Sequence, residues 1–481
     1  MLKVDQVQDP EKLRKVAVLL DREVDRLQQQ VRDLTFENAR LRGETLAQVD
    51  FGFPSRALQK ALEEEALPEA ARPARPAQPG HGPRPQQRLA VQEQVHELPK
   101  DERGCKVCGG ELKEIKGQFE HAEEITVTER SYKLVVHQRQ KYRCRCNANV
   151  TTAPGPLKLI PGGRYSLEFA THVALQKYGD HLPLERQVEI MQRHGLETTS
   201  QALWDQVAAA GKFLRPTYET LGQWLLAQPL VHADETGWPV NAADTAKPRW
   251  TAWCVCNSQA IWFRIASAKS EAEARRLLGT YKGTVVADGY KVYKNLAQAA
   301  ERSGYRLAHC WAHVLRKFRE TQDNDARSAW MLERIAELYR KERELVLEAG
   351  GDPQRKLVLR KERAGPLVEE IRQWALAQGG LRRSNFGKAV AYVLSHWVGL
   401  THFLEDAAVP LDNNPAERAL RGLVVGRKNH YGSRSQRGAD VSALFYSLIG
   451  TAKLCGAGPG TYLRDALTAA VRKPGTVTLP F

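Results

Sequence analysis

The sequence predicts a mixed α/β core carrying an α-helical insertion, behind an N-terminal region of smaller units. Three observations predict it. Short apolar runs and helical periodicities alternate between residues 229 and 309, as the strands and helices of one sheet would. The 128 residues between Asp288 and Glu417 are too many for a loop and carry helical patterns at 329–339, 357–377 and 387–405. Leucines every seven residues, then prolines, then paired cysteines divide the first 153 residues into stretches of different composition. A chain of 481 residues can bury several cores, so three or more structural units are expected.

Residues 1–50 read as a leucine-zipper coiled coil. Leu13, Leu20, Leu27, Leu34 and Leu41 recur at heptad spacing, with Ala17, Val24, Val31 and Asn38 three residues before a leucine. Leucine at d with valine at a suits a parallel homodimer, and Asn38 would fix its register. An amphipathic helix packed on its own protein is the plainer alternative. Residues 51–100 form a linker, with prolines at 68, 73, 76, 79, 83, 85 and 99.

Residues 101–153 read as a zinc-binding unit. Cys105 and Cys108 precede Gly109-Gly110, and Cys144 and Cys146 follow about 35 residues later. Four thiolates supply a closed tetrahedral Zn2+ site, although the second pair is Cys-x-Cys. The alternation at 125–136 predicts strands between the pairs. Cys254, Cys256, Cys310 and Cys455 lie in apolar contexts and read as packing residues. Residues 154–225 read as helical. The run 184–191, Gly195 and the capped start at 199–204 have the order of a helix-turn-helix, and ordinary helical packing explains it equally.

The core begins at residue 226. A strand at 229–235, a hairpin across 249–266, a helix near 270–280, a strand at 284–288, a helix near 291–301 and a strand at 305–309 follow in turn. Three strands and then alternating helix and strand is the order that an RNase H-like fold requires. Residues 226–313 form its first part, 314–408 the helical insertion, and 409–481 an acid-bearing helix with a basic C-terminal region.

Asp234 and Asp288 end apolar strand runs, and Glu417 follows Asn413-Asn414-Pro415 in the first turn of a helix, with Asn414 as cap and Pro415 at the first helical position. An acid at a strand end is often merely solvated, and Glu417 also fits a capping box with Asn414. Brought together, three such carboxylates suit two divalent metals, Mg2+ or Mn2+, which act on both oxygens of an in-line displacement at phosphorus.

Five motifs occur in one order: Asp-Glu-Thr-Gly-Trp-Pro at 234–239, Asp-Gly-Tyr at 288–290, Cys-Trp-Ala-His at 310–313, Asp-Asn-Asn-Pro-Ala-Glu-Arg at 412–418 and Gly-Arg-Lys-Asn at 426–429. With the cysteine cluster, the chain from about residue 10 to 465 resembles the insertion-sequence 66 family of DDE transposases. The resemblance implies Asp234, Asp288 and Glu417 as the metal-binding triad of an enzyme that cuts the ends of its own mobile element and joins them to target DNA. Gly237-Trp238 departs from the smaller or proline-containing pair more usual there.

The charge allows a polyanionic partner: 71 Lys and Arg against 56 Asp and Glu give +15, with a pI near 9.4. From Pro415 onward ten basic residues face three acids. Arg316 and Lys317, with Arg319, and then Arg418, Arg421, Arg427 and Lys428 are candidates to hold double-stranded DNA, a solvated basic face being the alternative. His313 could contact the scissile phosphate or simply hydrogen-bond in the core. No apolar run approaches the roughly 20 residues of a membrane span, which predicts a cytoplasmic protein. A structure-specific nuclease or resolvase on the same fold, or a catalytically inactive zinc-containing regulator, would share much of this pattern. Accessory proteins of the same element are candidate further partners.

Overall fold

A computed structural model of the chain describes residues 131–143, 150–241, 249–279, 281–299, 304–378 and 384–481. Every described residue belongs to one compact unit, Glu124–Phe481. The heptad leucines, the proline-rich linker and Cys105, Cys108, Cys144 and Cys146 lie outside the described residues.

A short ribbon comes first, β1 (Lys141–Arg143) antiparallel to β2 (Val150–Thr152). Residues 131–136 carry no strand despite their alternation. Tyr132 packs against the core, but Leu134, Val135 and Val136 are all exposed, and alternation alone does not hold a strand.

Helices α1 (Leu167–Tyr178), α2 (Leu184–Arg193) and α3 (Ser200–Leu226) follow. Ser166 and Thr199 cap α1 and α3 by accepting from the amides of Phe169 and Ala202, and Gly195 makes the turn between α2 and α3 at φ +78°. Helix, glycine turn and capped helix therefore form in the anticipated order. The 27-residue α3 spends one face on Leu203, Val207, Leu214, Leu221 and Leu225 in the core, as ordinary packing would.

The main sheet contains β3 (Leu230–Pro239), β4 (Arg249–Cys256), β5 (Ile261–Ala266), β6 (Thr284–Ala287) and β7 (Arg306–His309), in the order β5-β4-β3-β6-β7. β3, β4 and β5 are antiparallel neighbours, while β3, β6 and β7 run parallel. Helices α4 (Glu271–Leu278) and α5 (Lys291–Ala299) connect β5 to β6 and β6 to β7. Successive residues of a strand face opposite ways, and here they feed two cores. Val285 and Leu307 join Val207, Phe263 and Phe445, whereas Val286 and Ala308 join Phe318, Ile335, Ile371 and Val390.

The second core belongs to the helices after β7: α6 (Trp311–Arg319), α7 (Arg327–Ala349), α8 (Pro353–Leu359), α9 (Gly365–Ala377), α10 (Asn385–Ser395) and α11 (Trp397–Thr401). The single helix anticipated at 357–377 is broken by a π-turn at Arg360–Ala364. There the fully buried Arg360 donates to Glu342 Oε1 (2.6 Å) and to the Phe403 carbonyl (2.7 Å). Pulling one long cation inward to two fixed acceptors accounts for the widened turn.

The chain closes with α12 (Asn414–His430), α13 (Gln436–Leu454) and α14 (Pro459–Arg472). α13 covers the edge strand β5. Ser447 Oγ accepts from the Phe263 amide at 2.8 Å and Thr451 Oγ1 from the Ile261 amide at 3.0 Å, so side chains of α13 satisfy two of the edge's outward donors. Among the described residues no helix is long and apolar enough to cross a membrane.

Candidate active site

Parallel register brings the first two acids together. Leu230 stands opposite Thr284 and His232 opposite Val286, so two residues further on Asp234 reaches the level of Asp288. Asp288 lies where β6 gives way to a turn, whereas Asp234, anticipated at a strand end, sits inside β3: the strand runs on to Pro239 because β4 keeps pairing with it, from Asp234 opposite Cys254 to Pro239 opposite Arg249. Asp288 Oδ1 accepts from the Tyr290 amide at 2.9 Å, and Asp234 Oδ1 from the Glu235 amide at 2.8 Å. Carboxylate oxygens of Asp234, Glu235 and Asp288 lie within 4.8 Å of one another.

Glu235 is the acid that sequence reasoning passed over, since alternation along a strand sends neighbours to opposite faces. It reaches the cluster because two partners hold it there. Tyr293 donates its hydroxyl at 2.7 Å and the Lys269 ammonium lies at 2.8 Å, leaving the side chain 3% exposed. Lys269 also lies 4.1 Å from the centre of the Tyr290 ring.

Glu417 arrives from the start of α12. The helix begins one residue earlier than anticipated, at Asn414, so Pro415 is its second residue and Asn413 occupies the cap position. Asn413 spends its side chain elsewhere: Nδ2 donates to the Ala233 carbonyl at 2.9 Å, and Oδ1 is 3.0 Å from His232 Nδ1. Asp412 Oδ1 accepts from the Asn414 amide at 3.1 Å in its stead. Rather than folding back in a capping box, the Glu417 carboxylate meets α6, where Oε1 lies 3.3 Å from Arg316 Nη2 and 3.8 Å from His313 Nε2. The cap shifts because a fully buried Asn bridging to β3 leaves the helix start to its neighbours.

Charge is unevenly compensated. Glu235 has Lys269 and Glu417 has Arg316, while among the described residues no Lys or Arg stands within ion-pair distance of Asp234. Burial, with repulsion from Glu235, Asp288 and Glu417, pushes the Asp234 carboxyl up to about 7. Burial also raises Glu235, against the hydrogen bonds from Lys269 and Tyr293. His313 is lowered, chiefly by burial, and stays a neutral imidazole near neutrality. Such a cluster offers only hard oxygen donors and excess negative charge, which fits a divalent cation such as Mg2+ or Mn2+ and not a soft metal.

The basic candidates separate into two kinds. Arg418, Arg421 and Lys428 are exposed, and with Val425 they recur three and four residues apart along one face of α12. Arg427 is instead tied down, donating to Thr236 Oγ1 at 2.9 Å and to the Gly237 carbonyl, so it joins α12 to β3. Lys317 lies 4.7 Å from the centre of the Tyr392 ring. Cys254, Cys256 and Cys310 are buried within the fold. Trp238, the departure from the usual motif, is buried and donates Nε1 to Ser433 Oγ at 3.1 Å, a packing role.

The model of the transposase IS66 family matches residues 162–441. Among curated proteins, two uncharacterized proteins of Sinorhizobium fredii (strain NBRC 101917 / NGR234) are 30% identical: y4jD over 398 residues, 78% of this chain and 76% of that one, and y4hP over 400 residues, 77% and 71%. A third from the same organism, y4qI, is 28% identical over 410 residues, 81% and 75%. The crystal structure of the Mos1 strand transfer complex matches 32% of this chain and 59% of its own at 12% identity, with a TM-score of 0.13, too loose to argue from.

Proposed function

The chain belongs to the IS66 family of transposases, and from that premise we propose that it is a DDE-type enzyme with an RNase H-like core, cutting the ends of its element and joining them to target DNA. One observation carries the reading. Asp234 and Asp288 share a level on adjacent parallel strands, and Asn413 fastens the start of the Glu417 helix to the residue before Asp234. The strand order β5-β4-β3-β6-β7, with antiparallel strands on one side of β3 and parallel ones on the other, supports the fold assignment.

Asp234, Asp288 and Glu417 would hold the divalent cations. Bound there, Mg2+ or Mn2+ supplies positive charge to both the entering and the departing oxygen of an in-line displacement. In the first step a water oxygen bonds to phosphorus and the P–O3′ bond breaks, freeing a 3′-hydroxyl at the element end. In the second that hydroxyl attacks a target phosphodiester, whose own 3′ oxygen leaves with a proton. No protein–DNA bond forms in either step. His313, neutral and beside Glu417, offers an acceptor nitrogen at the edge of the site. Arg316 balances Glu417 and stands ready for a phosphate when that carboxylate turns to a cation. The exposed row of Arg418, Arg421 and Lys428 gives the duplex a path away from the acids.

Magnesium-dependent assays on the element's terminal DNA test this. Wild type should cut and join. Asp234→Asn, Asp288→Asn and Glu417→Gln should each lose both activities and keep DNA binding. Cutting without joining would favour the nuclease or resolvase reading, and binding with neither activity would favour an inactive regulator.

A further inference from the structure

A cleft of about 600 Å³ opens between the start of α2, the turn from α12 to α13, and the chain just beyond β3. β3 and α12 are the two elements that carry Asp234 and Glu417, and both run from those acids toward this cleft. Tyr431 lies fourteen residues beyond Glu417, about 20 Å at a helical rise of ~1.5 Å per residue. Asn241 lies seven residues beyond Asp234, about 23 Å at a strand rise of ~3.3 Å. Two hydrogen bonds join the ends of these rails, from the Asn241 amide to the Ser433 carbonyl at 2.8 Å and from Asn241 Nδ2 to the Tyr431 carbonyl at 3.3 Å. Arg427 ties them midway.

We infer that this cleft receives an unpaired nucleobase of the bound DNA, stacked on Tyr431. The inference rests on the transposase reading above. Tyr431 presents its ring 75% exposed to solvent from a left-handed backbone (φ +55°), an arrangement that costs energy for a residue that is not glycine and buries little of a large aromatic group in return. Glu185 and Glu189 offset Arg186 and Arg434 in the lining. A net charge near zero suits a polar, uncharged heterocycle better than a phosphate, whereas the cations that suit phosphates, Arg418, Arg421 and Lys428, lead along α12 toward the cleft. Asn241 and Asn429 add side-chain amides to the lining, groups that match base edges. At ~3.4 Å per base pair, about six base pairs would separate such a base from the reacting phosphate.

Fluorescence anisotropy with a short blunt duplex, and with the same duplex carrying a single-stranded overhang of a few nucleotides, tests the inference without requiring cleavage. Tyr431→Gly removes the ring and keeps the left-handed turn, and Tyr431→Asn repeats the test with a second residue that tolerates it. Both should bind the overhang duplex roughly five- to a hundredfold more weakly than wild type and bind the blunt duplex equally, while Tyr431→Trp should retain wild-type affinity for both. No loss, or an equal loss on both DNAs, would overturn the cleft proposal and leave the enzymatic reading intact. Wild type that binds neither DNA would overturn both.

Discussion

Asn413 donates its side-chain amide to the carbonyl of Ala233, 2.9 Å away and 180 residues distant in sequence. This bond crosses from the start of the Glu417 helix to the residue before Asp234, so the spacing of two metal-binding candidates depends on a residue that binds no metal. The other end of the same amide meets His232 at 3.0 Å. Burial keeps that ring neutral, and a neutral imidazole can donate to Asn413 Oδ1.

Asn413→Leu should therefore damage both stability and chemistry. It leaves the Ala233 carbonyl and His232 without their buried partner, at a cost of about 1–3 kcal/mol each when no water replaces it. Cleavage should fall on the order of a hundredfold, because a displacement of about 1 Å at Glu417 spoils in-line geometry. Chemical denaturation and single-turnover cleavage on the same preparation check it. Full activity in a destabilised protein would show that Asn413 serves the fold alone.

Glu235 separates a ligand from a positioning residue. Held by Tyr293 and Lys269, it can orient its neighbours without giving up an oxygen. Glu235→Gln keeps an acceptor for Tyr293, so joining should persist with a 10- to 100-fold loss and a higher magnesium requirement. Asp288→Asn should leave nothing measurable. A magnesium titration of joining distinguishes them, and a Glu235→Gln protein as inactive as Asp288→Asn would make Glu235 a direct ligand.

Much of this site was legible in the sequence because its acids interrupt strong local patterns. An apolar run that stops at Asp288 marks a strand end, and a proline two residues before Glu417 marks a helix start, whereas the run that stops at Asp234 does not end its strand, because β4 carries β3 on to Pro239. Glu235 was not legible, because its position is set by Lys269 and Tyr293, which belong to later elements. Arg427 misled for the same reason. Its place in a basic C-terminal segment says solvent, while its bonds to Thr236 and Gly237 depend on strand β3 nearly two hundred residues earlier. The cap shifted by one residue because Asn413 has a tertiary use that local helix rules do not register.

Asp234 makes the metal-free protein sensitive to pH. Its carboxyl is pushed up to about 7, against roughly 3.9 in an unfolded chain. Below about pH 4 both states hold the proton and the group has no effect. Between about 4 and 7 the unfolded chain gives up its proton first, so stability falls as pH rises and stays lower above 7. In EDTA this group should lower stability by about 1–2 kcal/mol from pH 5 to pH 8, after allowance for partial solvation. Asp234→Asn should flatten that dependence, and magnesium should restore wild-type stability at pH 8. Parallel melting curves of wild type and Asp234→Asn that keep the same pH slope would remove Asp234 as its source.

The two kinds of arginine on α12 should respond differently to salt. Arg421 and Lys428 are exposed on one face, and if each neutralises a phosphate, each releases counterions on binding. The double variant Arg421→Ala/Lys428→Ala should lower the slope of log affinity against log salt by up to about 1.8, or ~0.9 per lost contact on duplex DNA. Arg427→Ala should behave otherwise. Its guanidinium already bonds to Thr236 and Gly237, so the expected loss is in stability and in the fit of α12 to β3, with the salt slope near that of wild type. Joining should still drop in Arg427→Ala, because α12 carries Glu417 and β3 carries Asp234. Binding isotherms across a salt series, set beside joining rates, read all three effects. A slope unchanged by the double variant would make the exposed row a solvated face, and an Arg427→Ala slope as shallow as the double variant's would show that this arginine leaves its carbonyl for the DNA.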